Sequence, residues 1–313
     1  MNKKGFTLIE LLAVIIILAI IALIATPIVL NIIEDVKEQS SLRSADFYLD
    51  AIELAIVQST LKADTITDGT YNIKDGNICR NADCSKTLEV EVNGEVPTSG
   101  TVTIKNGQID NILLTLDNKV IIKNNKGELV YQTLDELCEL QEGYTAKTVG
   151  AKYSCNLGDG ERYFYVLEVK TDEVALILEG NYDTETLPWC DQSGPNPEDN
   201  KCNADGLTGK LDEISNDWTK LSRKQIGLPS ALQIIVANNP AKNTIDYTDG
   251  IQSWLYNWDN SVWGNRVYGY WTSTPDAEYS LGAWLVHYYG FVNNNDVNLA
   301  SGYGVRPVIN LKL

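Results

Sequence analysis

The chain has 313 residues, 44% of them hydrophobic, which is enough for one large domain or two to three small ones with cores of their own. Against 25 basic side chains stand 42 acidic ones, a formal net charge of −17, which disfavours nucleic acid as a partner because phosphate affinity comes from Lys and Arg displacing counterions. With six cysteines, one histidine and no C-x-x-C pair, the composition argues against a zinc site and for disulfides made in an oxidising exterior.

The opening MNKKGFTLIELLAVIIILAIIALIATPIVLNII is apolar from Phe6 to Ile33 except for Glu10 and Asn31, with Thr7 and Thr26 only mildly polar. Residues 6–33 suit the roughly 30 Å hydrocarbon core of a bilayer. Lys3 and Lys4 ahead of them place the N-terminus on the cytoplasmic side. No small-residue cleavage site follows the run, so it reads as a retained span and not as a secretory signal peptide. Further on, Leu42, Ala45, Leu49, Ile52 and Ile56 recur every three or four residues, an apolar stripe on a helix whose other face is polar. The pattern predicts one helix over 6–64, on the order of 80 Å long at 1.5 Å per residue.

The run Lys3-Lys4-Gly5-Phe6-Thr7-Leu8-Ile9-Glu10-Leu11-Leu12 resembles the class III signal of type IV pilins and the related pseudopilins. The resemblance implies that residues 1–5 are a leader, that a prepilin peptidase cuts between Gly5 and Phe6, and that the new amine of Phe6 is methylated. It makes Glu10 the fifth mature residue. A charge in hydrocarbon costs roughly 2.5–3.5 kcal/mol at a helix centre and is kept where it finds a partner or a function. The ammonium created at Phe6, on the same or an incoming subunit, is that partner, so Glu10 acts as an assembly register. Pro27 removes the helical hydrogen bond to Leu23 and loosens the turn, at the distance from the cut where the family carries a helix-breaking proline. The implied partners are the prepilin peptidase, other pilins with their assembly machinery, and the cytoplasmic membrane before assembly into an extracellular pilus.

Residues 65–135 read as an antiparallel β head. LEVEVNGEVP, TVTIKNGQIDNILLTL and KVIIKNNKGELVY alternate apolar with polar residues, and Asn93-Gly94, Asn106-Gly107 and Lys126-Gly127 mark hairpins between strands. One face of such a sheet needs cover, and the amphipathic half of the long helix is nearest. The fold class expected is therefore α+β: a long N-terminal helix packed on a sheet, followed by a separate α+β module. The order of the cysteines invites local pairs, Cys79 with Cys84, Cys138 with Cys155 and Cys190 with Cys202, among 15 conceivable pairings.

An acidic connection over 136–149 leads into a module over 150–313, which holds all seven tryptophans. There, KYSCNLGDGERYFYVLEV and EVALILEG read as a hairpin, and Thr219 to Asn238 as one or two short helices broken at Gly227 to Pro229. The tail GYWTSTP, AWLVHYYGFV and YGVRPVINLKL resembles the closing segment of bacterial surface modules of the C-type-lectin or formylglycine-generating-enzyme type. Formylglycine-type chemistry relies on reactive cysteines near this end, and none follows Cys202. Trp254, Trp258, Trp263, Tyr268, Tyr270 and Tyr288 are candidates for an aromatic platform that stacks on sugar rings, whereas Trp271 and Trp284 stand in core-facing positions. His287 reads as a strand residue, and Arg306 as a structural ion pair or carbonyl cap. Asp296 beside Asn293 to Asn295, and Asp259 with Asn260, offer oxygens, but no D-x-D-x-D-G run completes a calcium site.

No catalytic constellation and no cofactor motif emerges. The reading is a minor, tip-located filament subunit that presents a module to an extracellular glycan or protein. The alternative is a pseudopilin of a type II secretion-like or DNA-uptake system, for which Arg223 and Lys224 are the local basic residues.

Overall fold

The computed structural model describes the chain apart from residues 1–7, 62–65, 82, 93, 118, 125, 195–198, 257–266 and 300–301. Within the first helix it also leaves aside the side chains at 9–11, 13–14, 20, 22–25, 27–28, 30–31 and 34–35. The fold is α+β, with antiparallel sheets and few helices. It divides into two compact units, Met1–Tyr131 and Gln132–Leu313.

Unit 1 consists of α1 (Leu8–Leu61) and seven strands: β1 (Gly69–Lys74), β2 (Asn77–Cys79), β3 (Thr87–Leu88), β4 (Ser99–Lys105), β5 (Gln108–Leu116), β6 (Lys119–Lys123) and β7 (Leu129–Tyr131). Their order in the sheet is β3-β2-β1-β4-β5-β6-β7, with antiparallel neighbours throughout. From Ser41 on, α1 buries Ala45, Tyr48, Ile52, Ala55 and Ile56 against Ile73, Val102, Ile112, Leu114 and Ile121 of the sheet. Leu42 and Leu49 only flank this core, and Tyr48 occupies its middle. A ring fits there because its hydroxyl donates to the Gly76 carbonyl at 3.0 Å, which pairs the buried phenol oxygen. Lower on the helix, the Glu38 carboxylate meets Lys119 Nζ at 2.8 Å and the Glu38 carbonyl accepts from the Tyr131 hydroxyl at 2.9 Å.

Two tight turns follow glycine chemistry. Asn106 and Gly107, at φ 53° and 71°, close the β4–β5 hairpin in the left-handed region that Asn and Gly tolerate. Gly127 accompanies the bond that Asn124 N donates to the Glu128 carbonyl, at 2.9 Å, between β6 and β7. Asn93 of the expected Asn93-Gly94 turn lies outside the described residues; among the described residues of that stretch, Thr87–Leu88 forms a strand. Its backbone finds other partners, with Val90 N bonded to Asn77 Oδ1 and the Pro97 carbonyl accepting from Gly76 N. Pro97 itself has no N–H to offer a ladder.

Unit 2 opens with α2 (Leu134–Leu137) and β8 (Cys138–Leu140), so the segment 136–149, expected as a connection, supplies structure. Its reason is covalent and local: Cys138 stands opposite Cys155 across the β8–β9 pair and is bonded to it. There follow β9 (Lys152–Asn156), β10 (Glu161–Val169), β11 (Glu173–Leu178), α3 (Thr208–Asp217), β12 (Ile226–Gly227), α4 (Ala231–Asn238), β13 (Thr248–Asp249), β14 (Gly269–Pro275), β15 (Gly282–His287), β16 (Phe291–Asp296), β17 (Tyr303–Gly304) and β18 (Val308–Lys312). The expected hairpin over 152–178 is a three-stranded run, because Gly158 and Gly160, at φ 123° and 114°, turn the chain between β9 and β10.

Among the described residues, unit 2 has a six-stranded sheet of order β12-β18-β11-β10-β9-β8 and a five-stranded sheet of order β13-β16-β15-β14-β17. Trp189, Trp218, Trp271, Phe164 and Leu176 centre one core, and Ile234, Ile235, Tyr270, Val286 and Val308 a second. Because successive strand residues face opposite ways, Leu285 enters the first core and Val286 the second. α4 is held at its start by Ser230, whose hydroxyl accepts from Gln233 N at 3.1 Å while Gln233 Oε1 accepts from Ser230 N at 2.9 Å.

Candidate functional site

At one end of the five-stranded sheet, a set of rings gathers around His287. The register of β14, β15 and β16 sets Gly269 opposite His287 and His287 opposite Phe291, so the three share a face. The imidazole stacks on Phe291 with centroids 4.4 Å apart and planes 7° from parallel. Tyr268 lies 6.3 Å away at 11°, Tyr289 5.3 Å away at 24°, and Tyr303 meets the imidazole edge-on at 6.4 Å. Tyr288 is 4.6 Å from His287 and 5.9 Å from Tyr268, and Tyr247 extends the row past Phe291 at 5.9 Å.

Two glycines shape this surface. A Cβ on Gly269 would lie 1.9 Å from the Val286 carbonyl oxygen, so only glycine lets β14 approach β15 here. Gly290, at φ 83°, makes the Tyr288-Tyr289-Gly290 turn, and its amide bonds back to the His287 carbonyl at 2.9 Å. The turn leaves Tyr289 58% exposed, beside Tyr247 at 57% and Tyr268 at 41%. Partial burial depresses the His287 pKa below the ordinary 6.5, so at neutral pH the cluster presents an uncharged imidazole among phenol rings. Such a surface offers flat apolar faces with hydroxyls at their rims, suited to a ligand with C–H faces and many hydroxyls.

Of the residues expected to form a platform, Tyr268 and Tyr288 come together here, and Tyr270 is buried beneath, its hydroxyl donating to the Leu255 carbonyl at 2.5 Å. Trp254 joins a different group, tilted at 34° against Tyr165 with centroids 5.6 Å apart and its indole N–H on Gln252 Oε1 at 2.9 Å. Trp258 and Trp263 lie outside the described residues. His287, Tyr289, Phe291 and Tyr247 were not singled out as ligand residues from the sequence; the H-Y-Y-G-F run around a glycine turn is a signal for the first three, and no local signal marks Tyr247.

Arg306 is fully buried and caps carbonyls, donating from Nε to Leu178 O at 2.6 Å and from Nη2 to Glu179 O at 2.9 Å and Trp254 O at 2.7 Å. The Tyr279 hydroxyl donates to Asp296 at 2.6 Å, and the Asn294 amide donates to the Asp276 carboxylate. The cysteines form three disulfides, Cys79–Cys84, Cys138–Cys155 and Cys190–Cys202. Asp205 lies within ligand distance of Cys190 and Cys202, yet both sulfurs are committed to each other.

At the other end of the chain, Gly5 and Phe6 lie outside the described residues, and Glu10 and Pro27 lie within α1 with side chains outside the described set. Among the described residues, no helix is long and apolar enough to cross a membrane. Residues 1–26 match the family described as the Prokaryotic N-terminal methylation motif. The chain carries a prepilin-type signal. The match supports a type IV pilin-like or pseudopilin-like subunit, and it implies processing by a prepilin peptidase and assembly with other pilins. No curated protein and no solved structure matches the chain.

Proposed function

We propose that the chain is a minor, tip-located subunit of a type IV pilin-like filament, and that unit 2 is a non-enzymatic adhesion module for an extracellular glycan. The methylation motif over residues 1–26 carries the filament part of this reading. Cleavage after Gly5 leaves Phe6 with a new amine, Glu10 pairs with it, and Pro27 loosens the helix between its membrane and head portions. Insertion of residues 6–33 into the cytoplasmic membrane before assembly is supported by their sequence, in which Glu10 is the one charge.

The adhesion part is supported by the exposed rings of Tyr247, Tyr268 and Tyr289 around His287. The likeness of the tail segments to lectin-type modules points the same way. A minor position is supported by size: an added unit of Gln132–Leu313 is hard to repeat through a helical lattice and easy to place at a tip. Whole filaments from cells carrying the intact chain or a chain lacking 132–313 test the reading on a glycan array. Sparse labelling of filaments, with sugar binding lost and filaments retained on deletion, is the expected result; abundant labelling with loss of filaments on deletion assigns a shaft subunit instead.

A further inference from the structure

Unit 2 also holds a concavity that shares no residue with the aromatic surface. Leu167, Glu168, Ser230, Leu232, Gln233 and Val236 line a cavity of about 400 Å³ between β10 and α4, within the size range of small-molecule sites. Leu167, Leu232 and Val236 form its apolar side, and Glu168, Ser230 and Gln233 its polar side. Leu167 is buried at the base, and Leu232 and Val236, one helical turn apart on α4, are each 36% exposed.

Glu168 reaches the same cavity as Leu167, although neighbours in a regular strand face opposite ways. The cause is a register shift of β10 against β11 between Val166 and Glu168, the kind of irregularity that re-aims a side chain. One carboxylate oxygen, Oε2, accepts from Gln233 Nε2 at 2.8 Å, and Gln233 is itself fixed by its paired bonds to Ser230. Lys170, 57% exposed, forms a long ion pair with that same oxygen at 3.7 Å. The other oxygen, Oε1, has no hydrogen-bond partner among the described residues, and the carboxylate is 36% exposed. An apolar trough thus ends at a carboxylate that is oriented by the protein and retains an open acceptor.

We propose that this cavity binds a protonated amine on an aliphatic stem. The stem lies along Leu167, Leu232 and Val236, and the ammonium donates to Glu168 Oε1 in a charge-assisted hydrogen bond. Charge selects among ligands of this shape: a carboxylate end is repelled by Glu168, and a hydroxyl end forms the weaker neutral bond. The net charge of −17 favours a cationic ligand further. The source is either a free alkylamine or the lysine side chain of another protein.

The test uses the full-length chain in nanodiscs of zwitterionic lipid, with methyl-labelled Leu and Val, titrated with butylammonium, butanol and butyrate. Saturable shifts of the Leu232 and Val236 methyls with butylammonium, about tenfold tighter than with either analogue, are expected. Glu168→Gln should bring butylammonium to the level of butanol, and Lys170→Met, which removes a competing cation, should tighten it. The peptide Ac-Ala-Lys-Ala-NH2 binding more tightly than butylammonium assigns a partner's lysine, and the reverse assigns a free amine. Equal affinity for all three probes, no saturable shift, or an ammonium preference that survives Glu168→Gln overturns the proposal.

Discussion

His287 and Phe291 face each other across the β15–β16 hairpin with rings 4.4 Å apart and 7° from parallel. The pair is the hub of the exposed aromatic surface, and it separates residues that support that surface from residues that touch what binds there. Tyr289→Ala removes a ring that is 58% exposed, so it should leave stability within about 0.5 kcal/mol while weakening glycan binding roughly tenfold. Phe291→Ala should lower both, because His287 loses its stacking partner. Thermal unfolding beside array binding separates the two; a Tyr289→Ala protein that binds normally removes this surface from the account.

Stability should depend on pH through the same histidine. Burial among Tyr268, Tyr288, Tyr289, Phe291 and Tyr303 lowers the His287 pKa from 6.5, so the unfolded chain takes up a proton at a pH where the folded one does not. Its contribution is complete above about pH 6.5 and is lost as the pH falls through the folded value. Urea unfolding at pH 7.5 and 5.5 should show less loss for His287→Gln than for the native chain, and an equal loss in both would place the dependence elsewhere.

Lys210 ties the loop before α3 to that helix. Its ammonium meets Asp183 at 2.9 Å, Glu185 at 2.5 Å and Glu213 at 2.6 Å, with its own side chain only 6% exposed. Burial opposes its charge, but these hydrogen bonds outweigh that and raise its pKa. Lys210→Met should cost about 1–2 kcal/mol at pH 7, between the values for exposed and buried pairs, since the three carboxylates are half-exposed. The deficit should shrink at about 1 M salt, which screens these charges; a deficit that salt does not change would indicate lost packing alone.

The disulfides should differ in worth with the loop each closes. Cys138–Cys155 spans 17 residues, Cys190–Cys202 spans 12 and Cys79–Cys84 spans 5. Paired replacement by serine should cost about 3 kcal/mol for the first and progressively less for the others. Denaturant titration of the three double variants would contradict this ordering if the shortest loop proved the most costly.

Much of unit 1 was legible because short-range pattern and long-range packing agree there. Ala45, Ile52 and Ile56 face the sheet as the helical spacing requires, and Asn106-Gly107 turns as its chemistry requires. Tyr48 was missed, since a tyrosine is admitted to a core only when its hydroxyl finds a partner, and Gly76 is 28 residues away. α3 was not anticipated, because its few apolar positions, Leu211 and Ile214, make a weak pattern in isolation. In the aromatic surface, Tyr268 and Tyr288 could be named by residue type, but the place of His287 at the centre depends on a three-strand register that no local spacing encodes.

Assembly should depend on the Glu10 carboxylate. Glu10→Ala is expected to leave cleavage after Gly5 intact and to prevent incorporation into filaments, read by comparing the processed chain in membrane and filament fractions. Normal incorporation would remove the register role assigned to this residue.

The most direct test of the central claim is the mass and N-terminal sequence of the native protein, taken from sheared surface filaments and separately from membranes. The account predicts a chain that begins with methylated Phe6 in the filament fraction. An intact Met1, recovered only from membranes, would contradict it.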